Sequence, residues 1–124
     1  MPKILIADDS RTARMVVRRC LEMAGFKDAD FLEAEDGAVA LETAGRESPD
    51  LIVADLNMPK LDGESLLRGL KDASATRNIP VVIASSAINA VRSQRLTELG
   101  AFGVVQKPVT PASLKHAMGD WAGK

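Results

Sequence analysis

The stretch KILIADDS, residues 3–10, decides the fold because an apolar run stops abruptly at two adjacent carboxylates. The same pattern returns in LIVAD (51–55), VVIAS (81–85) and VVQK (104–107). Short apolar runs of this kind, separated by longer periodic segments, are typical of buried parallel strands that alternate with helices. Because the strands of such a sheet end at one common edge, the polar residues that close the four runs are predicted to converge there.

The segments between the runs have the features of helices. From about Ser10 to Ala24, small and apolar residues recur at steps of three and four, and Gly25 then supplies a helix end. Before the last helix, Thr110 is a good N-cap and Pro111 a good first-turn residue. Further helices are predicted at about 37–46, from 63, and at 89–99. One further strand is predicted at 29–34, and the strand that contains VVQK is predicted at 102–106. The order is a βα unit repeated five times.

Size and composition restrict the class of protein. The chain has 124 residues, 46% of them hydrophobic and 27% charged, which suits one globular domain spanning residues 1–124 with no output domain after the last helix. A net charge of −1 gives no basic surface for nucleic acid, and no apolar run reaches the length of a membrane span. Met1 leads straight into a strand without a signal peptide, and the single Cys20 fits a reducing cytoplasm. We expect a cytoplasmic monomer with neither nucleic acid nor membrane as partner.

The predicted edge collects three carboxylates, those of Asp8, Asp9 and Asp55. Carboxylates held close together repel one another, and Mg²⁺ is the cation that oxygen ligands of this kind suit best. Zinc is not favoured, since no cluster of histidine and cysteine accompanies them. An aspartate at such a site can also form an aspartyl phosphate, whose oxygens Mg²⁺ and Lys107 would neutralise while Ser85 donates a hydrogen bond.

Each of these residues also has an ordinary structural explanation. Asp8 and Asp9 can cap a helix, Asp55 can form a turn, Lys107 can be a solvated surface lysine, and Ser85 can be part of a loop. Their coincidence at the ends of four predicted strands is what favours a shared site.

The chain resembles the receiver domain of two-component response regulators over essentially its whole length. The pieces that carry the resemblance are residues 4–10 (ILIADDS), 55–59 (DLNMP) with Asp62-Gly63, 82–86 (VIASS) and Lys107-Pro108. The resemblance implies an α/β, flavodoxin-like doubly wound fold with a five-stranded parallel sheet of order 2-1-3-4-5. It also implies a cis peptide bond before Pro108.

The family's functional residues transfer to matching positions in this chain. By resemblance, Asp55 is the phosphoacceptor, and Asp8, Asp9, Asp55 and the main-chain carbonyl of Asn57 form the Mg²⁺ site. Ser85 is the switch hydroxyl and Lys107 binds the phosphoryl group.

The resemblance further implies a signalling switch rather than an enzyme. A histidine kinase or phosphotransfer protein would phosphorylate it, and the face formed by helix 4, strand 5 and helix 5 would then bind a downstream protein target. Relatives carry an aromatic residue three positions before the lysine, where this chain has Val104, so the signal is expected to travel through the backbone or helix 4. Ala87, two residues after Ser85, cannot orient a water by side-chain hydrogen bonding, so we expect slow autodephosphorylation.

Four alternatives stay open at this point. The domain can be a phosphate shuttle or sink in a phosphorelay, or a degenerate receiver used only for interaction. A Mg²⁺-dependent phosphohydrolase of the haloacid dehalogenase type would need an aspartate at Asn57, and a flavin-binding module would be repelled by Asp8 and Asp9. For docking of the phosphodonor, the sequence offers the arginines of the first helix, namely Arg11, Arg14, Arg18 and Arg19.

Overall fold

Five strands alternate with five helices in the structure, a computed structural model that describes residues 1–121. The strands are β1 (Lys3–Ala7), β2 (Asp30–Ala34), β3 (Leu51–Asp55), β4 (Val81–Ser85) and β5 (Gly103–Gln106). The helices are α1 (Arg11–Leu21), α2 (Gly37–Glu47), α3 (Gly63–Asp72), α4 (Ala90–Glu98) and α5 (Pro111–Met118). All strand pairs are parallel and the sheet order is β2-β1-β3-β4-β5. The predicted doubly wound α/β fold is confirmed.

Helices cover both faces of the sheet, which is why its central strands are apolar throughout. Leu5, Ile52 and Ile83 point to the face covered by α2, α3 and α4, while Ile4 and Val53 point to the face covered by α1 and α5. Each large aliphatic side chain that is fully buried in this way stabilises the fold by about 1.5–3 kcal/mol. The two layers together fix the strand ends on which the site is built.

Each of the α-helices α1 to α5 begins with a side-chain cap. In each case the cap residue accepts a hydrogen bond from the backbone N–H three residues later, an interaction that contributes about 1 kcal/mol. The caps are Ser10, Asp36, Asp62, Asn89 and Thr110. Because Ser10 caps α1, neither Asp8 nor Asp9 is needed for that role.

The first helix ends earlier than predicted. Its α-helical part stops at Leu21, and a π-helical turn, Glu22–Phe26, follows in place of a regular helix to Ala24. Gly25 lies inside this turn with φ of 116°, a conformation that glycine adopts without steric cost, and the turn ends one residue later at Phe26. The ring of Trp121 packs on Phe26 with centroids 5.2 Å apart, at the edge of the domain away from the polar strand ends.

Gly37 is expected to be intolerant of any side chain. A Cβ atom there would overlap the carbonyl oxygen of Leu61, whereas one at Gly45 in the same helix would meet nothing within 4 Å. Gly37→Ala should therefore lower the free energy of unfolding by about 1–3 kcal/mol. Gly45→Ala should leave it unchanged or raise it by up to about 1 kcal/mol, since alanine favours the helix. Urea unfolding of both variants checks this, and equal stabilities would contradict the contact.

Among residues 1–121, none of the helices is both long and apolar enough to cross a membrane.

Candidate functional site

Three aspartates meet at the carboxyl edge of the sheet, between β1 and β3. Ala7 pairs with Ala54 in the parallel ladder, so Asp8 and Asp9, which follow β1, stand beside Asp55 at the end of β3. One carboxylate oxygen from each aspartate lies within 4.8 Å of the other two. The sheet order places this cluster where the chain reverses its direction of winding, at the switch point that such folds use for ligands.

Lys107, the residue after β5, closes the cluster. Its Nζ lies 2.7 Å from Asp8 Oδ2 and 3.3 Å from Asp55 Oδ1, and its side chain is only 24% exposed. The peptide bond from Lys107 to Pro108 is cis, as expected. The backbone N–H of Lys107 donates to the Ser85 carbonyl at 2.8 Å, which ties the lysine to the end of β4.

Ser85 ends β4 as a fully buried residue, so its ordinary reading as a loop serine is wrong. Its hydroxyl oxygen accepts a hydrogen bond from the Ala87 N–H at 3.2 Å, which leaves the hydroxyl proton available for donation. The ladder pairs Ala84 with Asp55, so Ser85 is one residue beyond the partner of the aspartate. Gln106 Nε2 holds the next turn by donating to the Ser86 carbonyl at 3.0 Å.

Asp8 both faces the cluster and braces the loop that follows β1. Its Oδ2 accepts from Lys107, while its Oδ1 accepts from the Ser10 N–H at 2.9 Å. Asp8 is buried, whereas Asp9 is exposed at the mouth of the cluster. The site therefore has a fixed inner carboxylate and an outer one that solvent reaches.

Burial and the close approach of the charged groups shift the pKa values of Asp55 and Lys107. Burial, and then the charge of Asp8, raise the pKa of Asp55 against the opposing influence of Lys107. Burial alone would lower the pKa of Lys107, but its hydrogen bonds and ion pairs with Asp8 and Asp55 outweigh burial and raise it. Lys107 thus stays protonated, and one ammonium does not fully compensate the carboxylates around it.

Asp55→Asn is expected to stabilise the fold at pH 7 in the absence of divalent cations. The folded protein binds a proton on Asp55 more readily than the unfolded chain does, because the folded pKa lies above the ordinary value of 3.8. The contribution of Asp55 to stability is therefore largest below that value and is lost as the pH rises through the folded pKa.

The increase in the free energy of unfolding caused by Asp55→Asn should consequently become smaller as the pH falls from 7 to 4. Urea unfolding in EDTA at both values measures it, with Asp28→Asn, an exposed loop substitution, as control. A variant less stable than the parent at pH 7 would show instead that the contact with Lys107 dominates.

The donor set fits Mg²⁺. Asp8, Asp9 and Asp55 offer oxygen ligands only, and they form the one group of three or more potential ligands in the described part of the chain. Asn57 is exposed in the loop after β3 and lines a cleft of about 460 Å³ between α3 and α4. His116 is exposed on α5.

Two functional features were missed in the sequence. Arg14 was expected only to help dock the phosphodonor, yet its Nη1 donates to the Asp8 carbonyl and its Nε to Glu33. Met15 and Val16 are 61% and 44% exposed and form an apolar surface that the helical pattern did not indicate. Val16 and Val17 are adjacent apolar residues of α1, and only Val17 of the two is buried.

Comparisons with known proteins agree with this geometry. Residues 4–119 match the model of the response regulator receiver domain family. Chemotaxis protein CheY-3 of Vibrio cholerae is 32% identical over 116 residues, 94% of this chain and 88% of that protein. A probable chemotaxis protein CheY of Rhizobium etli is 31% identical, with the same coverage.

Solved structures give the same result. The chemotaxis response regulator CheY4 of Vibrio cholerae superposes with a TM-score of 0.81 at 29% identity, covering 94% of both chains. The bacteriophytochrome response regulator AtBRR gives a TM-score of 0.83 at 27% identity, covering 98% of this chain and 96% of that one. This chain therefore belongs to the response regulator receiver domain family and is similar to the chemotaxis regulators within it.

Proposed function

We propose that this domain is a signalling switch that accepts a phosphoryl group on Asp55. The observation that carries the proposal is the ammonium of Lys107, which lies 2.7 Å from Asp8 and 3.3 Å from Asp55. A lysine shared by two carboxylates is placed to neutralise a phosphoryl group attached to one of them. The donor is a phosphohistidine of a histidine kinase or phosphotransfer protein, and the whole of residues 1–124 acts as one receiver unit.

The proposed reaction is a single displacement at phosphorus. An oxygen of the Asp55 carboxylate forms a bond to phosphorus as the bond from phosphorus to the donor's imidazole nitrogen breaks, and that nitrogen keeps the electron pair. Asp8, Asp9, Asp55 and the backbone carbonyl of Asn57 would hold Mg²⁺, which supplies charge neutralisation to the phosphoryl oxygens. Lys107, which follows β5, would contribute a second positive charge.

The proposed switch starts at Ser85. In the structure its hydroxyl oxygen accepts from the Ala87 N–H, and the Ala87 carbonyl accepts from Arg92 Nη1 of α4 at 3.1 Å. If the Ser85 hydroxyl moved toward a phosphoryl oxygen, it would lose its hydrogen bond with the Ala87 N–H. The hydrogen bond between the Ala87 carbonyl and Arg92 would then weaken. Val104 is half-buried on β5 and has no polar group to take part, so we place the coupling in the loop between β4 and α4.

The population of active conformers can shift only by as much as the phosphoryl group favours one arrangement over the other. Arg95 of α4 forms a two-pronged ion pair with Glu64 of α3, at 2.9 and 3.3 Å, which holds α4 in the described arrangement. The face formed by α4, β5 and α5 is the proposed binding surface for the downstream target. A phosphate shuttle or sink would use the same acceptor chemistry without that target.

Slow loss of the phosphoryl group belongs to the same proposal. The side chain of Ala87 is an exposed methyl group at the rim of the site, where it has no atom that can orient an attacking water. The domain therefore catalyses only its own phosphorylation and a slow autodephosphorylation, and we do not propose that it acts on a separate substrate.

The phosphodonor is proposed to dock on α1, but the docking surface differs from the one expected. Arg14 contacts Asp8 and Glu33. Arg18 pairs with Glu22, and its guanidinium lies over the ring of Phe31. Only some of the arginines of α1 are therefore free to contact a partner. Exposed Met15 and Val16 form the centre of the surface instead. An apolar groove of about 330 Å³ continues from Val16 to Lys107 and Pro108, directly beside the cluster.

Met15→Glu is expected to leave phosphorylation by acetyl phosphate unchanged and to slow transfer from a protein phosphohistidine by at least about tenfold. The reason is that a small donor needs only the cluster, whereas a protein donor must also cover the apolar surface of α1. Transfer from the phosphorylated cognate kinase, followed by electrophoretic separation, measures the rate. Lys115→Glu on α5 is the control, and equal slowing by both variants would contradict docking on α1.

Intact mass after incubation with acetyl phosphate tests the proposed function itself. A gain of one phosphoryl group that needs Mg²⁺ and is lost in Asp55→Asn is expected. No gain with a folded protein that binds Mg²⁺ would contradict it. Mass is preferable to fluorescence because Trp121 packs on Phe26 away from the cluster and is a poor reporter of events there.

A further inference from the structure

Arg14 links the acidic cluster to two other elements. From α1, its Nη1 donates to the backbone carbonyl of Asp8 at 2.6 Å, and its Nε donates to Glu33 Oε1 of β2 at 2.8 Å. The Arg14 side chain is only 13% exposed. A guanidinium that is largely shielded and bound at both ends has a fixed orientation.

The contact with Arg14 completes the hydrogen bonding of Asp8. The Asp8 N–H donates to the Ala34 carbonyl at 3.0 Å, Oδ1 accepts from the Ser10 N–H at 2.9 Å, and Oδ2 accepts from Lys107 at 2.7 Å. The carbonyl oxygen is the remaining polar atom, and Arg14 holds it. Every polar atom of the inner carboxylate residue is thereby fixed by a different partner.

The same carbonyl belongs to the peptide that joins Asp8 to Asp9. Fixing its plane also fixes the direction in which the Asp9 side chain leaves the backbone. Within residues 1–121, the Asp9 carboxylate has neither a hydrogen bond nor a salt bridge of its own, so its placement depends on this backbone. Arg14 is the side chain that holds that peptide.

We propose that Arg14 is a positioning residue for Mg²⁺, holding the Asp8-Asp9 peptide so that both carboxylates face Asp55. The inference rests on the proposed function, because it concerns the same metal site. It also predicts the direction in which Mg²⁺ affinity changes when Arg14 is removed. A positive charge near the cluster would by itself repel Mg²⁺, so removing Arg14 would tighten binding if charge were its only influence. Loss of positioning would weaken binding instead.

Isothermal titration calorimetry with Mg²⁺ measures whether the Arg14 variants bind the ion more weakly or more tightly. Arg14→Met is expected to weaken Mg²⁺ binding by about 10–100-fold, as loss of partners that orient metal ligands generally does. Arg14→Lys keeps the charge but reaches only one of the two acceptors, so we expect intermediate weakening. Glu33→Gln keeps an acceptor oxygen for Arg14 and should weaken binding least. Arg19→Met, on the exposed side of the same helix, should change nothing.

Urea unfolding in EDTA separates a local effect from a folding defect. If Arg14→Met does not fold, Arg14→Lys and Glu33→Gln decide, and graded weakening by both is still expected. Unchanged or tighter Mg²⁺ binding in the folded Arg14 variants would overturn the inference while leaving phosphorylation of the parent protein intact. Failure of the parent to bind Mg²⁺ would overturn the proposed function together with the inference.

Discussion

Lys107→Met is expected to tighten Mg²⁺ binding on the order of tenfold and, in the same protein, to slow phosphorylation by about 10²–10³-fold. The two effects have opposite signs because the ammonium has two roles. Before phosphorylation it pairs with Asp8 at 2.7 Å and Asp55 at 3.3 Å, and thus competes with any divalent cation. During transfer it would neutralise charge on the phosphoryl oxygens.

Methionine keeps the length of the lysine stem and removes the ammonium group, with its charge and its hydrogen-bond donors. Titration calorimetry gives the Mg²⁺ affinity, and the rate with acetyl phosphate is measured at saturating Mg²⁺ so that affinity does not enter. Lys115→Met on the exposed side of α5 is the matched control. Weaker Mg²⁺ binding in Lys107→Met, or an unchanged rate, would show that the lysine has only a structural role.

Asp8→Asn should weaken Mg²⁺ binding by at least about 100-fold, more than substitutions outside the ligand set cause. Asparagine keeps an oxygen that can accept from the Ser10 N–H, so the loop retains its brace. It removes one of three negative charges, and it also frees Lys107 to pair with Asp55 alone. Both changes weaken the binding of Mg²⁺ beside the Lys107 ammonium.

Because Asp8→Asn binds Mg²⁺ more weakly, its rate of phosphorylation should fall at low Mg²⁺ concentrations and recover partly at high Mg²⁺ concentrations. Asp28→Asn, an exposed loop position, provides a control with the same change of charge. If Asp8→Asn bound Mg²⁺ as tightly as the parent protein, the metal site would have to lie elsewhere.

The strand ends could be predicted from the sequence because a central parallel strand is buried on both faces. Apolar runs therefore stop where the chain leaves the core, and Asp8, Asp55, Ser85 and Lys107 mark those points. Once the strands are parallel, their polar ends meet without further information. The sheet order and the cis bond before Pro108 came from resemblance, and the structure has both.

What could not be predicted depends on where long side chains go. Arg14 lies on a helix face with other arginines, and periodicity does not reveal that it reaches back to Asp8 and across to Glu33. The apolar surface at Met15 and Val16 is hidden for a similar reason. Helical periodicity gives the average direction of a face but not the contacts of each residue on it.

The most direct measurement identifies the residue that carries the phosphoryl group. After incubation with acetyl phosphate and Mg²⁺, borohydride reduction converts a phosphoaspartate to homoserine, and tryptic peptides are sequenced by mass spectrometry. Residues 47–60 form one peptide that contains both Asp50 and Asp55. Homoserine at Asp55, and none without Mg²⁺, is the predicted result. Homoserine at Asp8, Asp9 or Asp50, or at no aspartate in a protein that is shown to bind Mg²⁺, would contradict the assignment of Asp55 as phosphoacceptor.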